Sequence, residues 1–329
     1  MGNMPLKVLE LGCGAAYWSA TCHDWLSSLG HSDVSFTGVD IAPLPPDLGK
    51  QGMNWRFVQH DLRRIPWPFE DEEFDFVMCK DMSLAVPIGI PSQLFVDEVV
   101  RILHEGGTAE FWESDHVLRC LRPHPPPPPG MLKPEEEIAI ATKTYLISPG
   151  TPFAPAQNKY VAEANSWISG ALDDLRLPPT PCARILNILY QEADTMTDVG
   201  FRRVAIPLGE LRWEKERQEG LGHGRSPSDR NSLTSSKGKA RAVGQAQQQP
   251  APLVSTLTAD QQALRDTALL SVLQKVESLE PILKDASGKN AEEWSRWWAG
   301  MTASLLDQEQ GSSGEVLEVG AWWATKRTQ

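Results

Sequence analysis

The chain has 329 residues, of which 41% are hydrophobic, so it can form one sizeable core or a core with a smaller helical cap. Its net charge of −12 argues against a protein that grips nucleic acid through phosphates, because such proteins usually present a basic face. The five cysteines are scattered with no CxxC pair, so we expect free thiols and no metal site. We find no signal peptide and no run long enough to span a bilayer, and we expect a soluble cytoplasmic protein, with the nucleus as the alternative.

The rest of the chain is organised around residues 7–18, which read KVLELGCGAAYW. The apolar run at the start predicts a buried strand, and Gly12 and Gly14 predict a turn whose backbone can approach a ligand closely. Residues 17–29 then predict a helix that ends at Gly30. Together these elements form half of a nucleotide-binding βαβ unit, although the turn alone is equally typical of a tight turn without a ligand.

A second apolar strand at residues 34–40 ends in a carboxylate, Asp40. It follows Gly14 by 26 residues, which is near the spacing at which an acidic group meets the hydroxyls of a ribose. The first turn carries Glu10 and reads E-x-G-x-G rather than G-x-G-x-x-G. This departure from the dinucleotide fingerprint disfavours an NAD-dependent oxidoreductase and indicates another adenosine ligand.

Further elements follow at the spacing of an open α/β sheet. They are predicted strands at residues 54–59, 74–79 and 108–112, and a predicted helix at residues 91–103. Asp61 follows the first of these strands, and Glu113 and His116 follow the last. Open α/β sheets bind ligands beyond the carboxyl ends of their strands, so these side chains are candidates for a site.

Five motifs in this order, ELGCG, VD, FVQHDL, FDFVMCKD and RILHEGG, resemble the motif set of class I S-adenosylmethionine-dependent methyltransferases. The resemblance covers residues 6–113 and implies an α/β fold with a seven-stranded, mostly parallel, doubly wound sheet and helices on both faces. Helical insertions would add a cap. The interruption of the last strand pair resembles fungal methyltransferases of secondary metabolism.

The resemblance also implies S-adenosylmethionine as cofactor and a set of residues that bind it. Glu10, Gly12 and Gly14 would line its methionine side, and Asp40 would take the ribose hydroxyls. Asp61 with Leu62 would edge the adenine, and Ile41 and Cys79 would make further contacts with the cofactor. The family often has a third small glycine where this chain has Ala15 and Ala16, which adds a methyl group without blocking the site.

The second half of the chain predicts a cap, a linker and the last two strands. Residues 218–252 cannot bury enough apolar surface to offset their ordering entropy, so we expect disorder there. The predicted later elements are two helices within residues 134–175, helices at 183–199, 258–283 and 291–307, and strands at 201–208 and 316–325. We divide the chain into a core at 1–122, a proline-rich connector and helical cap at 123–199, the sixth strand at 200–217, a disordered linker at 218–257, and a helical pair with the final strand at 258–329.

Methyl transfer from a sulfonium is an in-line displacement, so positioning and desolvation supply much of the catalysis. A base is needed only for a hydroxyl or a protonated amine, and Glu113 and His116 are our candidates to hold or deprotonate the acceptor. Hydrogen bonding within the loop is the alternative for both. The segment CKDMSLAVP lacks the Asn/Asp-Pro-Pro-aromatic motif of enzymes that methylate exocyclic amines of bases or glutamine.

We therefore expect a small-molecule acceptor, no nucleic acid and no membrane. An apolar pocket is expected under the cap, lined by Trp112, Phe153, Trp167 and Trp297. The alternative is a regulatory protein that keeps the fold and acts through protein partners, with weak or no catalysis. In that case the partner would bind the predicted disordered loop or the polyproline segment at residues 123–130.

Overall fold

The computed structural model describes residues 6–123, 132–214, 255–307 and 314–328. The predicted disorder at 218–252 and most of the polyproline segment fall outside these ranges. Within them, one mixed sheet carries helices on both faces, which confirms the predicted α/β class.

Five parallel strands form the first half of the sheet, in the order β3-β2-β1-β4-β5. They are β1 (Lys7–Leu11), β2 (Ser35–Asp40), β3 (Trp55–Gln59), β4 (Phe74–Lys80) and β5 (Leu103–Ser114). The chain returns from β1 to β2 through α1 (Tyr17–Ser28) and from β4 to β5 through α2 (Ile90–Ile102). The chain adds β2 and β3 on one side of β1 and then β4 and β5 on the other side. Open α/β sheets bind ligands where the strand order reverses in this way, beyond the carboxyl ends of the two central strands, which here are β1 and β4.

The last strand of the chain, β10 (Glu315–Lys326), lies antiparallel between β5 and β9 (Met196–Pro207). Val319 of β10 pairs with Ser114 on one side and Val204 on the other. These seven strands are the predicted sheet. Three short strands extend it to ten, namely β6 (Arg119–Leu121), β7 (Tyr145–Leu146) and β8 (Phe153–Pro155).

Several predicted boundaries are wrong because tertiary pairing or proline overrides the local pattern. The helix predicted at 183–199 is only α5 (Ile185–Gln191), and β9 begins at Met196 because Met196 pairs with Lys326 in the β9–β10 ladder. The helix predicted at 258–283 is two helices, α6 (Ala259–Ser278) and α7 (Glu280–Ser287). Pro281 explains the break, since proline lacks an N–H and clashes with the carbonyl four residues earlier.

The cap is a helical layer built from α3 (Pro134–Thr142), α4 (Lys159–Asp174), α6, α7 and α8 (Ala291–Leu306). The α4, α7 and α8 helices bury Leu172, Leu283 and Trp294 in one cluster. The apolar face of α6 packs on the sheet through a second cluster, where Leu269 and Leu317 are both buried. The cap is thus held on the sheet by its own hydrophobic contacts.

Candidate active site

A cleft of about 620 Å³ opens at the carboxyl ends of β1 to β4. This volume lies within the range that holds drug-sized ligands and cofactors. Seven of the residues predicted to bind the cofactor line it: Glu10, Gly12, Gly14, Asp40, Ile41, Asp61 and Leu62. The topology therefore brings together residues that are spread over more than fifty positions of the sequence.

The glycine turn has a backbone that only glycine adopts easily. Gly12 has a φ of +66°, and its N–H donates to Val39 O at 2.9 Å, joined by Cys13 N at 3.1 Å. A Cβ on Gly12 would lie 2.6 Å from Met82 Sδ, whereas one on Gly14 would meet nothing within 4 Å. The floor of the cleft is therefore shaped by the absence of a side chain at Gly12.

Glu10 places a buried carboxyl group at the start of α1. Its Oε2 accepts hydrogen bonds from Ser19 Oγ at 2.5 Å and from Ser19 N at 3.2 Å. Burial raises the pKa of Glu10, and the Ser19 hydrogen bonds lower it in part. A cationic group bound beside Glu10 would favour its ionised form, which suits the methionine end of a sulfonium ligand.

Asp40 is held by two backbone N–H groups. Its Oδ2 accepts from Gly14 N at 2.9 Å and its Oδ1 from Ala42 N at 3.0 Å. Each carboxylate oxygen has a second acceptor position, so both can still receive hydroxyl donors from the cleft. These two hydrogen bonds connect the glycine turn to the end of β2 and hold the carboxylate in one orientation.

Asp61 lies in the cleft, but its carboxylate is already occupied by arginine. Arg63 donates to it through Nε at 2.9 Å and Nη2 at 3.0 Å, and these bonds lower the pKa of Asp61 to about 2. A contact of Asp61 with adenine stays a prediction, and it would compete with this ion pair. Leu62 lines the cleft and supplies an apolar edge beside it.

Cys79 does not lie in the cleft, so the structure does not bring it to the predicted cofactor residues. It is 2% exposed and faces the core between the sheet and α2, because successive residues of β4 point to opposite faces. Its neighbour Lys80 lines the cleft instead and pairs with Asp81. Burial raises the pKa of the Cys79 thiol.

The cleft also contains residues that the motif pattern did not indicate. They are mostly apolar side chains from the start of α1 and from the turn after β4: Tyr17, Trp18, Met82, Leu84, Ala85 and Val86. Leu84 also packs against the buried cluster of the cap, so the cap touches the wall of the cleft at this turn. The sequence could have indicated the residues that follow β4, because the carboxyl end of a parallel strand borders the ligand.

Glu113 and His116 are joined through a single serine. Ser83 N donates to Glu113 Oε1 at 2.8 Å, and Ser83 Oγ donates to Glu113 Oε2 at 2.7 Å. Ser83 Oγ also lies 3.0 Å from His116 Nε2. Because the serine proton is directed to the carboxylate, His116 Nε2 is the donor to Ser83 Oγ.

Burial sets the protonation states of this pair. It raises the pKa of Glu113 to about 7, and the Ser83 hydrogen bond opposes the rise. Burial, helped by the charge of Lys275, lowers the pKa of His116 to about 3. At neutral pH His116 is uncharged, and Glu113 can gain or release a proton, which suits a general base.

The two candidates lie outside the walls of the main cleft. Glu113 lines a smaller cavity on the other side of the turn that carries Ser83, and His116 lies deeper, among residues of α4 and α6. A direct role for His116 stays a prediction, and the geometry gives it a place in orienting Ser83. Glu113 is the better placed of the two to touch an acceptor.

The predicted aromatic roof is wrong, since none of its four members lines the cleft. Trp167 and Trp297 pack together inside the cap, with ring centroids 4.8 Å apart. Phe153 lies under the guanidinium of Arg119 at 3.9 Å, and Trp112 donates to Glu110 on the outer face of β5. The tryptophan spacing on α8 is typical of a buried helix face, but it does not identify the partner helix.

We expect the neutral state of His116 to make stability depend on pH. The pKa of His116 in the folded protein lies below the ordinary value of 6.5 that it has in the unfolded chain. The stability that comes from burying the neutral ring is therefore fully present above pH 6.5 and is lost as the pH falls toward about 3. His116→Gln removes this pH dependence. When the pH is lowered from about 7.5 to about 5, the free energy of unfolding of the wild type should therefore fall by about 2 kcal/mol more than that of the variant. Urea denaturation at both pH values measures it. A difference in free energy of unfolding between wild type and His116→Gln that is the same at both pH values, as for the control His104→Gln at an exposed site, would show that His116 is not held neutral by burial.

Comparison with known proteins gives a family match for the first part of the chain. Residues 8–107 match the family model described as a methyltransferase domain. This match and the sheet order confirm the prediction of a class I, S-adenosylmethionine-dependent methyltransferase domain, and the matched residues contain the glycine turn and Asp40. No curated protein matches the chain in sequence.

Solved structures with similarity to the chain include methyltransferases. The PH0226 protein of Pyrococcus horikoshii OT3 is 25% identical over 33% of this chain and 46% of that chain, with a TM-score of 0.28. Phosphoethanolamine N-methyltransferase 2 of Haemonchus contortus, in complex with phosphomonomethylethanolamine and S-adenosylhomocysteine, is 10% identical over 100% and 50%, with a TM-score of 0.42. A putative sarcosine dimethylglycine methyltransferase of Galdieria sulphuraria is 13% identical over 98% and 78%, with a TM-score of 0.40.

The chain spans about half the length of the first two of these structures. Within residues 6–123, 132–214, 255–307 and 314–328, no group of three or more His, Cys, Asp or Glu side chains is arranged to hold a metal ion. No helix in the same ranges is long and apolar enough to cross a membrane.

Proposed function

We propose that the protein is an active methyltransferase that binds S-adenosylmethionine in the 620 Å³ cleft and methylates a small organic acceptor. The observation that carries the proposal is the convergence of Glu10, the glycine turn and Asp40 on one cleft within the matched domain. The cofactor supplies an electrophilic methyl group on a sulfonium. The residues of the chain bind and orient it, exclude water and hold the acceptor.

The residues present fit this cofactor in three respects. Gly12 places no side chain on the floor of the cleft, where a Cβ would already lie 2.6 Å from Met82 Sδ. Asp40 offers two preoriented oxygens to a pair of vicinal hydroxyls. Glu10 offers a buried carboxyl group to the cationic end. Together these features support a ligand that is polar at both ends and has a ribose between them.

We expect Asp40→Ala to weaken the binding of S-adenosylhomocysteine by about 1.5–3 kcal/mol, roughly tenfold to hundredfold. The variant removes the acceptor for the ribose and leaves Gly14 N without its partner. Titration calorimetry gives the affinity, and Asp24→Ala on the outer face of α1 is the matched control. An affinity that is equal in both variants would remove Asp40 from the site.

The acceptor class rests on the apolar walls near the turn after β4 and on the acidic charge of the chain. Incubation with methyl-labelled S-adenosylmethionine and separate pools of small metabolites, tRNA, DNA and histones tests it. We expect label in the small-metabolite pool. Label in the macromolecular pools alone would overturn the small-acceptor proposal, and label nowhere despite cofactor binding would support a regulatory protein that acts through partners.

A further inference from the structure

A second cavity, of about 90 Å³, lies behind the turn that carries Met82 and Ser83. It is bounded by the sheet and by helices α2 and α5. Its walls are largely apolar, with contributions from Phe95, Val96, Phe111, Ile185, Ile188 and Leu189. The cavity is smaller than the engineered cavity of about 150 Å³ that holds benzene, so it suits a short or branched aliphatic group better than an aromatic ring.

This apolar cavity adjoins the cofactor cleft. Met82 and Val86 line both, so the two spaces share a wall of two flexible or small aliphatic side chains. Methionine has three rotatable bonds and adapts to ligands of different shape. A molecule seated in the cavity would therefore lie beside the methionine end of the cleft, where Gly12 is in contact distance of Met82.

Three ionisable side chains border the apolar cavity: the buried Glu113 carboxyl, the buried Cys79 thiol and the exposed Arg184 guanidinium. Glu113 is 8% exposed, and both of its oxygens are aligned by Ser83. Burial raises the pKa of this carboxyl to about 7, so a second full negative charge in the cavity would be strongly disfavoured. Glu113 can accept a hydrogen bond from a neutral hydroxyl with little desolvation cost to the ligand.

We propose that this cavity is the acceptor pocket and that it takes the aliphatic part of a neutral alcohol, whose hydroxyl group faces Glu113 and Ser83. The inference rests on the proposed methyltransferase function and narrows its acceptor class. An amine or a carboxylate with the same carbon skeleton binds less well, because the cost of burying its charge between largely apolar walls exceeds the gain from pairing with Glu113 or Arg184. Val96 and Ile188 determine the size of the group that enters.

The experiment uses three probes with one carbon skeleton: 3-methyl-1-butanol, isopentylamine and isovalerate. Saturation-transfer NMR on the full chain near neutral pH measures their binding. We expect the alcohol to bind at least tenfold more tightly than either charged probe. Equal binding of all three, or preferred binding of a charged probe, would overturn the proposal.

Two variants locate the bound alcohol. Val96→Phe fills the apolar cavity and should weaken alcohol binding at least tenfold, whereas Leu94→Phe, on the exposed face of the same helix, should leave it unchanged. Ile188→Phe on α5 gives a second filled cavity if Val96→Phe does not fold. Unchanged alcohol binding in a folded, filled variant would contradict the assignment.

A calorimetric titration of the same samples with S-adenosylhomocysteine separates the two claims. Loss of alcohol binding with normal cofactor binding is expected for the filled variants. Wild type that binds the cofactor but not the alcohol would overturn the pocket alone. Wild type that binds the alcohol but not the cofactor would overturn the proposed function.

Discussion

Arg265→Met should lower the free energy of unfolding by about 3–5 kcal/mol, because it leaves the buried carboxylate of Glu214 without its cationic partner. Arg265 is 0% exposed, and its Nη1 and Nη2 each donate to Glu214 at 2.8 Å. Burial raises the pKa of Glu214, but the hydrogen bonds and charge of Arg265 outweigh it and the pKa is lowered. The guanidinium also donates to Lys143 O at 3.0 Å and so ties α6 to the end of α3.

Urea denaturation measures this effect. The matched control is Arg296→Met, which breaks an exposed pair with Glu292 on α8 and should cost less than about 0.5 kcal/mol. The double variant Arg265→Met with Glu214→Gln should recover part of the loss, since the unpaired charge is removed. Equal costs for Arg265→Met and Arg296→Met would show that the buried pair does not hold the cap on the sheet.

Gly12→Val should weaken cofactor binding on the order of hundredfold, or by about 3 kcal/mol. The φ of +66° is strained for any side chain and most for a β-branched one, and the new Cβ would lie 2.6 Å from Met82 Sδ. Displacement of Met82 would also reshape the wall between the cleft and the apolar cavity. Titration calorimetry with S-adenosylhomocysteine reads the loss.

Two control variants at other glycines distinguish the effect of backbone strain from the effect of a side chain on the floor of the cleft. Gly14→Ala lies in the same turn, but its Cβ meets nothing within 4 Å, so a smaller loss is expected. Gly30→Ala has a φ of +90° after α1, outside the cleft, and should cost stability without changing cofactor affinity. Normal affinity in Gly12→Val would contradict the role of this turn.

The first half of the fold could be predicted because its information is local. An apolar run followed by Gly12 and Gly14 defines a strand and a turn, and a carboxylate after the next strand defines Asp40. Parallel strands then bring their carboxyl ends to one edge whatever the details of the helices. For this reason seven of the eight predicted cofactor residues meet in one cleft.

The exception, Cys79, shows the limit of a motif-based prediction. A motif gives the position along β4, but the alternation of the strand decides the face, and Cys79 points into the core while Lys80 reaches the cleft. The hydrogen-bonded link from Glu113 through Ser83 to His116 could not be predicted from the sequence either. It joins residues 33 positions apart through a turn whose shape depends on the packing of the cap.

The second half of the fold depends on long-range pairing. Residues 196–200 have a helical pattern, yet they form a strand because β10 offers a ladder on that side. The cap tryptophans pack inside the cap rather than over the cleft, and their spacing does not reveal which helix receives them. The fungal secondary-metabolism resemblance, the cytoplasmic location and the domain boundaries stay predictions.

The most direct test of the central claim is a calorimetric titration of the wild-type chain with S-adenosylhomocysteine and, separately, with NAD. The cleft with Glu10, Gly12, Gly14 and Asp40 predicts one-to-one binding of S-adenosylhomocysteine and no heat with NAD. Binding of NAD without S-adenosylhomocysteine, or of neither ligand, would contradict the assignment.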